Sequence, residues 1–399
     1  MADQQIVIFG AGKIGRSFVG QLFGRAGYGV VFVDMDKTLV KRLNRAKQYP
    51  VIIKGPDHTE KLVVEKVRAI YAKDHKAVLK AIVRADILAI SVGKSALPAI
   101  APVVAKGIQE RESYTPGRIL DIILAENMRS ADHFFREKLR EILPPSFPLD
   151  ERVGLVETSI GKMVPIMTGK DLDEDPLQVF AEPYNTLILD RKGFRGEIPE
   201  IGEFALKDNM KAWVDRKAFI HNLGHATAAY CGHLSYPEAN FMYQVLADPK
   251  VHDFTRKVML ESAQVLISAY PDEFSAETLT AHIDDLLNRF QNSNLGDTVF
   301  RVGSDLKRKL GPDDRFMGII RMANQVDKPC GMIVEAMAMG FCFKSRDENG
   351  DPFPGDAEFL QLWKHDPNRV LEQVCRFHGE KDAVYIELLK QNYTRITTE

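Results

Sequence analysis

Six residues, Gly10-Ala11-Gly12-Lys13-Ile14-Gly15, constrain this chain more than any other stretch. They read G-x-G-x-x-G. An apolar run at 6–10 (IVIFG) leads into them, and a helical pattern over 14–26 follows. A second apolar run at 30–34 (VVFVD) ends on Asp34. Glycines collect in turns, so the triplet alone is a weak signal. Between a strand and a helix, with an acid about 20 residues on, it marks a dinucleotide site. The first glycine permits the tight turn, the second lets the backbone approach a pyrophosphate, and the third lets helix and strand pack closely. The helix N-terminus then turns unpaired N–H groups and a positive dipole end toward the phosphates. Asp34 is expected to accept hydrogen bonds from ribose hydroxyls and to repel a 2′-phosphate. Met35-Asp36 brings no arginine to receive one, so NAD is expected rather than NADP. A tight turn without ligand and an FAD site are the alternatives.

The rest of the first half fits that start. Residues 35–47 and 78–84 have helical character, and 86–93 (DILAISVG) and 118–127 (RILDIILAEN) read as buried strands. Strands alternating with helices predict a parallel, doubly wound α/β sheet of the Rossmann type. Val92 and Gly93, at the end of one of those strands, join Gly10 to Gly15 and Asp34 as cofactor-binding candidates. Residues 51–70 alternate like a hairpin pair. ILPPSFPLD at 142–150 holds three prolines and reads as a loop. From 152 to 195 the pattern is strand-like again, and these segments are expected to extend the same sheet. Beyond about 203, long helical patterns dominate at 211–231, 251–270 and 316–343. The expected organisation is a dinucleotide-binding domain with added strands at 1–200 and a mostly α-helical domain at 201–399.

Composition excludes several classes. The 399 residues are 45% hydrophobic and 27% charged, enough apolar material for large cores. A net charge of −2 gives no global field for a polyanion, so nucleic acid is not an expected partner. No apolar run approaches the roughly 18 residues of a membrane span. The start, MADQQIVIFG, lacks a basic region and an apolar leader before a cleavage site, so a cytoplasmic location is expected. The cysteines, at 231, 330, 342 and 375, show no C-x-x-C spacing and read as reduced core thiols.

The second informative segment is 212–232, AWVDRKAFIHNLGHATAAYCG. Lys217, His221, Asn222 and His225 fall on one helical pattern. At about 100° per residue, Asn222 lies about 140° and His225 about 80° around from Lys217, so the three share one broad face. Gly224 near that face is expected to admit a ligand or the other domain. Polar groups on an apolar helix are costly to bury without partners, and hydrogen-bonded or exposed polar residues are the plain alternative. His221 and His225 have the i, i+4 spacing of metal ligands, but no glutamate stands at the H-E-x-x-H position and no third ligand is near, so no metal is expected.

Taken together, FGAGKIGRSFVG, LAENM at 124–128, DNMKAWVDRKAFIHNLGHATAAYCG at 208–232, and RVGSDLKRKL with DDR at 301–315 resemble the polyol-specific long-chain dehydrogenase family. The resemblance runs over most of the chain. Its K-x4-N-x2-H signature falls on Lys217, Asn222 and His225. It implies reversible, metal-independent oxidation of a secondary alcohol on a polyol or polyol phosphate with NAD. By position, Lys217 is the implied general base, Asn127 and Asn222 hold the substrate oxygen, and His225 orients substrate hydroxyls. Arg301 and Arg308 fall where relatives use basic residues against the substrate. Lys307 and Lys309 beside them read equally as a solvated basic helix end. The chemistry is coherent, because a buried lysine beside a positive nicotinamide loses its proton readily and two amides can steady a forming alkoxide.

Two departures stand out. Relatives carry an Asp-Arg pair before the Val-Pro of the middle segment, where this chain has Gly161 and Lys162. Lys162 keeps a charge for substrate binding but not the guanidinium fork. Relatives also tend to be apolar where this chain has His221, which reads as a core histidine or an added substrate contact. The alternatives are a fructuronate- or tagaturonate-type oxidoreductase, an oxidative decarboxylase of the 6-phosphogluconate dehydrogenase type, and an NAD-binding sensor without catalysis. The expected partner is a sugar alcohol, sugar phosphate or sugar acid, with the chain a monomer or weak homodimer and no membrane association.

Overall fold

The computed structural model describes residues 4–379 and 381–398. The chain divides into two compact units, Met1–Val214 and Asp215–Glu399.

The first unit is built on β1 (Gln5–Phe9), β2 (Gly29–Asp34), β3 (Tyr49–Lys54), β4 (Thr59–Val64), β5 (Val67–Tyr71), β6 (Ile87–Ile90), β7 (Leu120–Leu124), β8 (Val153–Ser159), β9 (Val179–Ala181), β10 (Leu187–Asp190) and β11 (Phe204–Lys207). Eight of them form one sheet in the order β11-β10-β8-β7-β6-β1-β2-β5. From β5 through β8 every pairing is parallel, and β10 joins β8 antiparallel. The near-continuous apolar runs follow from burial on both faces. Ile6 and Ile8 feed one core with Phe18, Phe23 and Phe32, while Val7 and Phe9 feed the other with Leu88, Ile122 and Phe135. Helices Lys37–Ala46, His75–Arg84, Leu97–Tyr114 and Ala131–Arg140 alternate with the strands. The order reverses between β1 and β6, and ligands of such sheets bind beyond the carboxyl ends of the strands at that reversal.

Two strand expectations change. Residues 51–70 hold the end of a hairpin, β3 with β4, and then a third strand, β5, which leaves the hairpin to pair with β2. Residues 152–195 do not all extend the main sheet: β8 and β10 do, but β9 pairs with β3 in a separate three-stranded sheet. Alternation fixes which side chains share a face, not which strand becomes the neighbour, and that choice is made by long-range packing.

The second unit is helical. Its centre is Leu223–Ser235, mostly apolar and buried along most of its length, from Leu223 to Gly232. Pro249–Ala269 packs on it where Gly224 meets Met259, and Gly331–Gly340 packs where Gly340 meets Tyr230. The pattern at 316–343 is two helices, Arg315–Gln325 and Gly331–Gly340, parted at Asp327, whose φ of +51° no helix interior accepts.

Candidate active site

In the first unit the glycine bend turns at the carboxyl end of β1. Gly10 has a φ of +95°, and a Cβ there would lie 2.5 Å from the Ser91 carbonyl oxygen. A Cβ on Gly15 would lie 2.0 Å from the Gly10 carbonyl oxygen, whereas one on Gly12 would meet nothing within 4 Å. Gly10 and Gly15 are therefore demanded by the protein's own backbone, and Gly12 leaves an open approach of the kind a pyrophosphate needs. Gly12 and Lys13 are exposed, Ile14 is half-buried and Ala11 is buried. Both Asp34 carboxylate oxygens hold backbone N–H groups, from Ala11 at 2.7 Å and from Asp36 at 2.8 Å. Lone pairs remain for hydroxyls, so these residues fit a dinucleotide.

A residue the sequence reading did not weigh lies beneath the bend. The buried Arg16 guanidinium donates to the Ala11 carbonyl at 2.7 Å and to the Leu177 carbonyl at 2.6 Å. The Tyr49 hydroxyl of β3 donates to the Arg16 carbonyl at 2.8 Å. The small sheet thus fastens the bend from behind. A charged residue directly after Gly15, in an otherwise apolar stretch, was the available signal.

Val92 and Gly93 follow β6, and Asn127 follows β7, all at the same carboxyl edge. Asn127 is exposed and Val92 half-buried. Lys162 is buried, its ammonium 2.8 Å from the Asn185 amide oxygen and 5.1 Å from the Phe18 ring centroid.

In the second unit the helix entering at Met210–Arg216 widens to i→i+5 bonding over Lys217–Asn222 before resuming at Leu223. The uniform 100° spacing assumed from the sequence does not hold through this turn, a widening common at functional sites. Carbonyls in the turn are met from other helices: Ser262 Oγ donates to the Phe219 carbonyl at 2.6 Å, and Arg315 donates to the Asn222 carbonyl at 3.0 Å. Burial, with help from the Arg315 charge and opposed by Asp314, lowers the Lys217 ammonium to about 8.

His225 stacks on Phe290 with ring centroids 4.4 Å apart, and His221 meets the same ring edge-on at 5.4 Å. Burial first, then cationic neighbours, keeps both imidazoles neutral, with Arg301 and Lys309 leading for His225 and Arg289 for His221. The His225 Nε2 lies 3.5 Å from the buried Asp297 carboxylate, which also pairs with Arg301. Arg308 is half-exposed and pairs with Asp305 and Asp314. Lys309 corrects the reading of a solvated helix end: it is 4% exposed and donates to the Val302 carbonyl, and burial lowers it to about 7. Lys307 is exposed. Gly224 is a second correction, since a Cβ there would lie 2.4 Å from Met259 Sδ, so its smallness serves helix packing.

Among the described residues, no three His, Cys, Asp or Glu side chains gather as a metal ligand set, and no helix is long and apolar enough to cross a membrane. The four cysteines are free, and burial pushes their thiols up to about 11 or 12.

Comparison with known proteins identifies the family. Residues 4–203 match the model of the mannitol dehydrogenase Rossmann domain, and 209–396 match that of the mannitol dehydrogenase C-terminal domain. The mannitol-1-phosphate 5-dehydrogenase of Lactococcus lactis subsp. lactis (strain IL1403) is 29% identical over 399 residues, covering 98% of this chain and all of that one. The enzyme of the same name from Lacticaseibacillus casei (strain BL23) is 29% identical over 388 residues, covering 96% of this chain and 97% of that one. Among solved structures, a D-sorbitol dehydrogenase in substrate-free form superposes with a TM-score of 0.79 at 17% identity, covering 99% of this chain and 93% of that one. The Pseudomonas fluorescens mannitol 2-dehydrogenase, a ternary complex with NAD and D-mannitol, gives 0.77 at 16% identity with the same coverage.

Proposed function

Because the chain belongs to the mannitol dehydrogenase family, we propose that it oxidises one secondary alcohol of a hexitol phosphate to the ketose phosphate, reversibly, with Lys217 as general base. The chain is an NAD-dependent polyol oxidoreductase of that family. The relatives named for mannitol 1-phosphate support the phosphorylated substrate.

The observation that carries the base assignment is the lowered lysine. An ordinary lysine, near 10.4, is protonated at neutral pH and accepts nothing. At about 8, a useful fraction of Lys217 is the free amine. It takes the hydroxyl proton as the carbon gives up its hydride. NAD, when bound, supplies the hydride acceptor, and Gly10, Ala11, Gly12, Lys13, Ile14, Gly15 and Asp34, with Val92 and Gly93, are the residues that would hold it. The Asn222 and Asn127 amides donate to the oxygen as negative charge develops. His225 is neutral and held flat against Phe290, so it can hydrogen-bond hydroxyls without carrying charge. Arg301, Arg308 and the buried Lys162 are the candidates for the substrate's charged end, with His221 behind His225.

The test is turnover followed at 340 nm with NAD and a panel of hexitols, pentitols and their phosphates, and with NADH and ketose phosphates, fructuronate and tagaturonate in reverse. Hexitol phosphates are expected to react fastest. Lys217→Ala should lose most of the rate and keep NAD binding. Reaction with sugar acids alone would move the assignment to the uronate class, and full activity in Lys217→Ala would remove the lysine from its role.

A further inference from the structure

We propose that Glu126 is a positioning residue that sets the distance between the loop after β6, which carries Val92 and Gly93, and the loop after β7, which carries Asn127. This rests on the reading above, in which those two loops serve cofactor and substrate. The last backbone hydrogen bond between the strands runs from the Ala125 N–H to the Ile90 carbonyl at 2.8 Å. Beyond it the ladder stops and twisted strands diverge. At that point one carboxylate oxygen, Glu126 Oε1, accepts the Val92 N–H at 2.8 Å and the Gly93 N–H at 3.0 Å. A side chain thus continues the pairing past the end of the sheet.

The bridge is built for a carboxylate. The side chain is 5% exposed, and burial pushes its carboxyl up while the two N–H donors hold it down. Charge-assisted bonds to fixed backbone donors are stronger and shorter than neutral ones. Gly93, at a φ of +89°, turns its N–H toward the same oxygen as Val92. The far side of the Asn127 loop is pinned as well. The Thr158 hydroxyl donates to the Leu124 carbonyl at 2.8 Å, and Glu157 accepts the Ala131 N–H at 3.2 Å. With Glu126 on one side and β8 on the other, the Asn127 backbone has little freedom. The Gly10 approach to Ser91 ties the glycine bend into the same run of contacts.

The experiment compares Glu126→Ala and Glu126→Gln with the parent chain by three readouts: hydrogen exchange at the Val92 and Gly93 amides, NAD affinity by titration, and kcat against KM for the polyol. In Glu126→Ala the two amides should exchange at least about tenfold faster, with NAD affinity and kcat each falling by about tenfold, because a buried tether has been cut. Glu126→Gln keeps an acceptor oxygen and should recover most of the exchange protection and part of kcat. The proposal is overturned if the Val92 and Gly93 amides stay protected in Glu126→Ala. It is also overturned if that variant loses only thermal stability while its folded fraction keeps normal NAD affinity and kcat. Should the parent chain fail to turn over polyols, the functional reading fails. Exchange and NAD titration would still decide whether Glu126 holds the loops.

Discussion

Ser262 Oγ lies 2.6 Å from the Phe219 carbonyl oxygen, inside the wide turn that begins with Lys217. Widening a helix displaces carbonyls from their usual partners, and a buried carbonyl without a donor is expensive. The hydroxyl from helix Pro249–Ala269 makes the turn affordable. Ser262→Ala should destabilise the chain by about 1–3 kcal/mol, read as a fall in the denaturation midpoint. It should also lower kcat by more than it changes NAD affinity, because the turn carries Lys217, the proposed base. An unchanged midpoint would show that the turn holds without it.

With Lys217 as the proposed base, oxidation acquires a defined pH dependence. Its folded value near 8 means the free amine accumulates as pH rises through about 8. The oxidation rate should therefore climb to a plateau above that point and fall tenfold per unit well below it. Arg315→Met removes a neighbouring cation and should move the inflection upward, as pH–rate profiles of the two chains will show.

The two glycines of the bend should separate fold from cofactor. A methyl on Gly12 meets no protein atom within 4 Å, so Gly12→Ala should keep the parent's thermal midpoint and weaken NAD binding by about tenfold or more. A methyl on Gly15 meets the Gly10 carbonyl, so Gly15→Ala should lose both, with a stability cost of about 1–3 kcal/mol. Calorimetry with NAD titration on both variants checks the contrast.

Glu157 gives stability its own pH dependence. Burial, with Asp132 adding to it and the Ala131 and Ser130 N–H groups opposing it, raises the carboxyl to about 7. The folded chain therefore holds this proton more tightly than the unfolded chain, whose glutamate titrates near 4.3. Its contribution is fully present below that lower value and is lost as pH rises through about 7, an effect of roughly 3–4 kcal/mol. Glu157→Gln should match the parent near pH 4 and exceed it in stability at pH 8. Denaturant melts at both pH values measure the difference.

Local chemistry was readable from the chain, and long-range partnership was not. The glycine bend, Asp34 and the strand–helix alternation depend on near neighbours and on burial, and each left a pattern of a few residues. The shared helix of Lys217, Asn222 and His225 was visible by spacing, but its wide turn depends on Ser262 and Arg315, 40 or more positions away. Asp297 behind His225 and Glu126 between two loops were hidden for the same reason. An acid in sequence shows a charge, and only the fold shows which donors it meets. Lys309 misled because a run of basic residues resembles a wetted surface, and burial of one member is decided by the helix it faces.

The Arg16 residue makes the glycine bend dependent on Tyr49 of β3 and on Leu177, just ahead of β9, both later in the chain. Transplanting residues 5–34 into another sheet would carry the bend's sequence but strand a cation in an apolar interior, without Leu177 to receive it or Tyr49 to anchor its backbone. The bend and the three-stranded sheet are inherited, or engineered, as one piece.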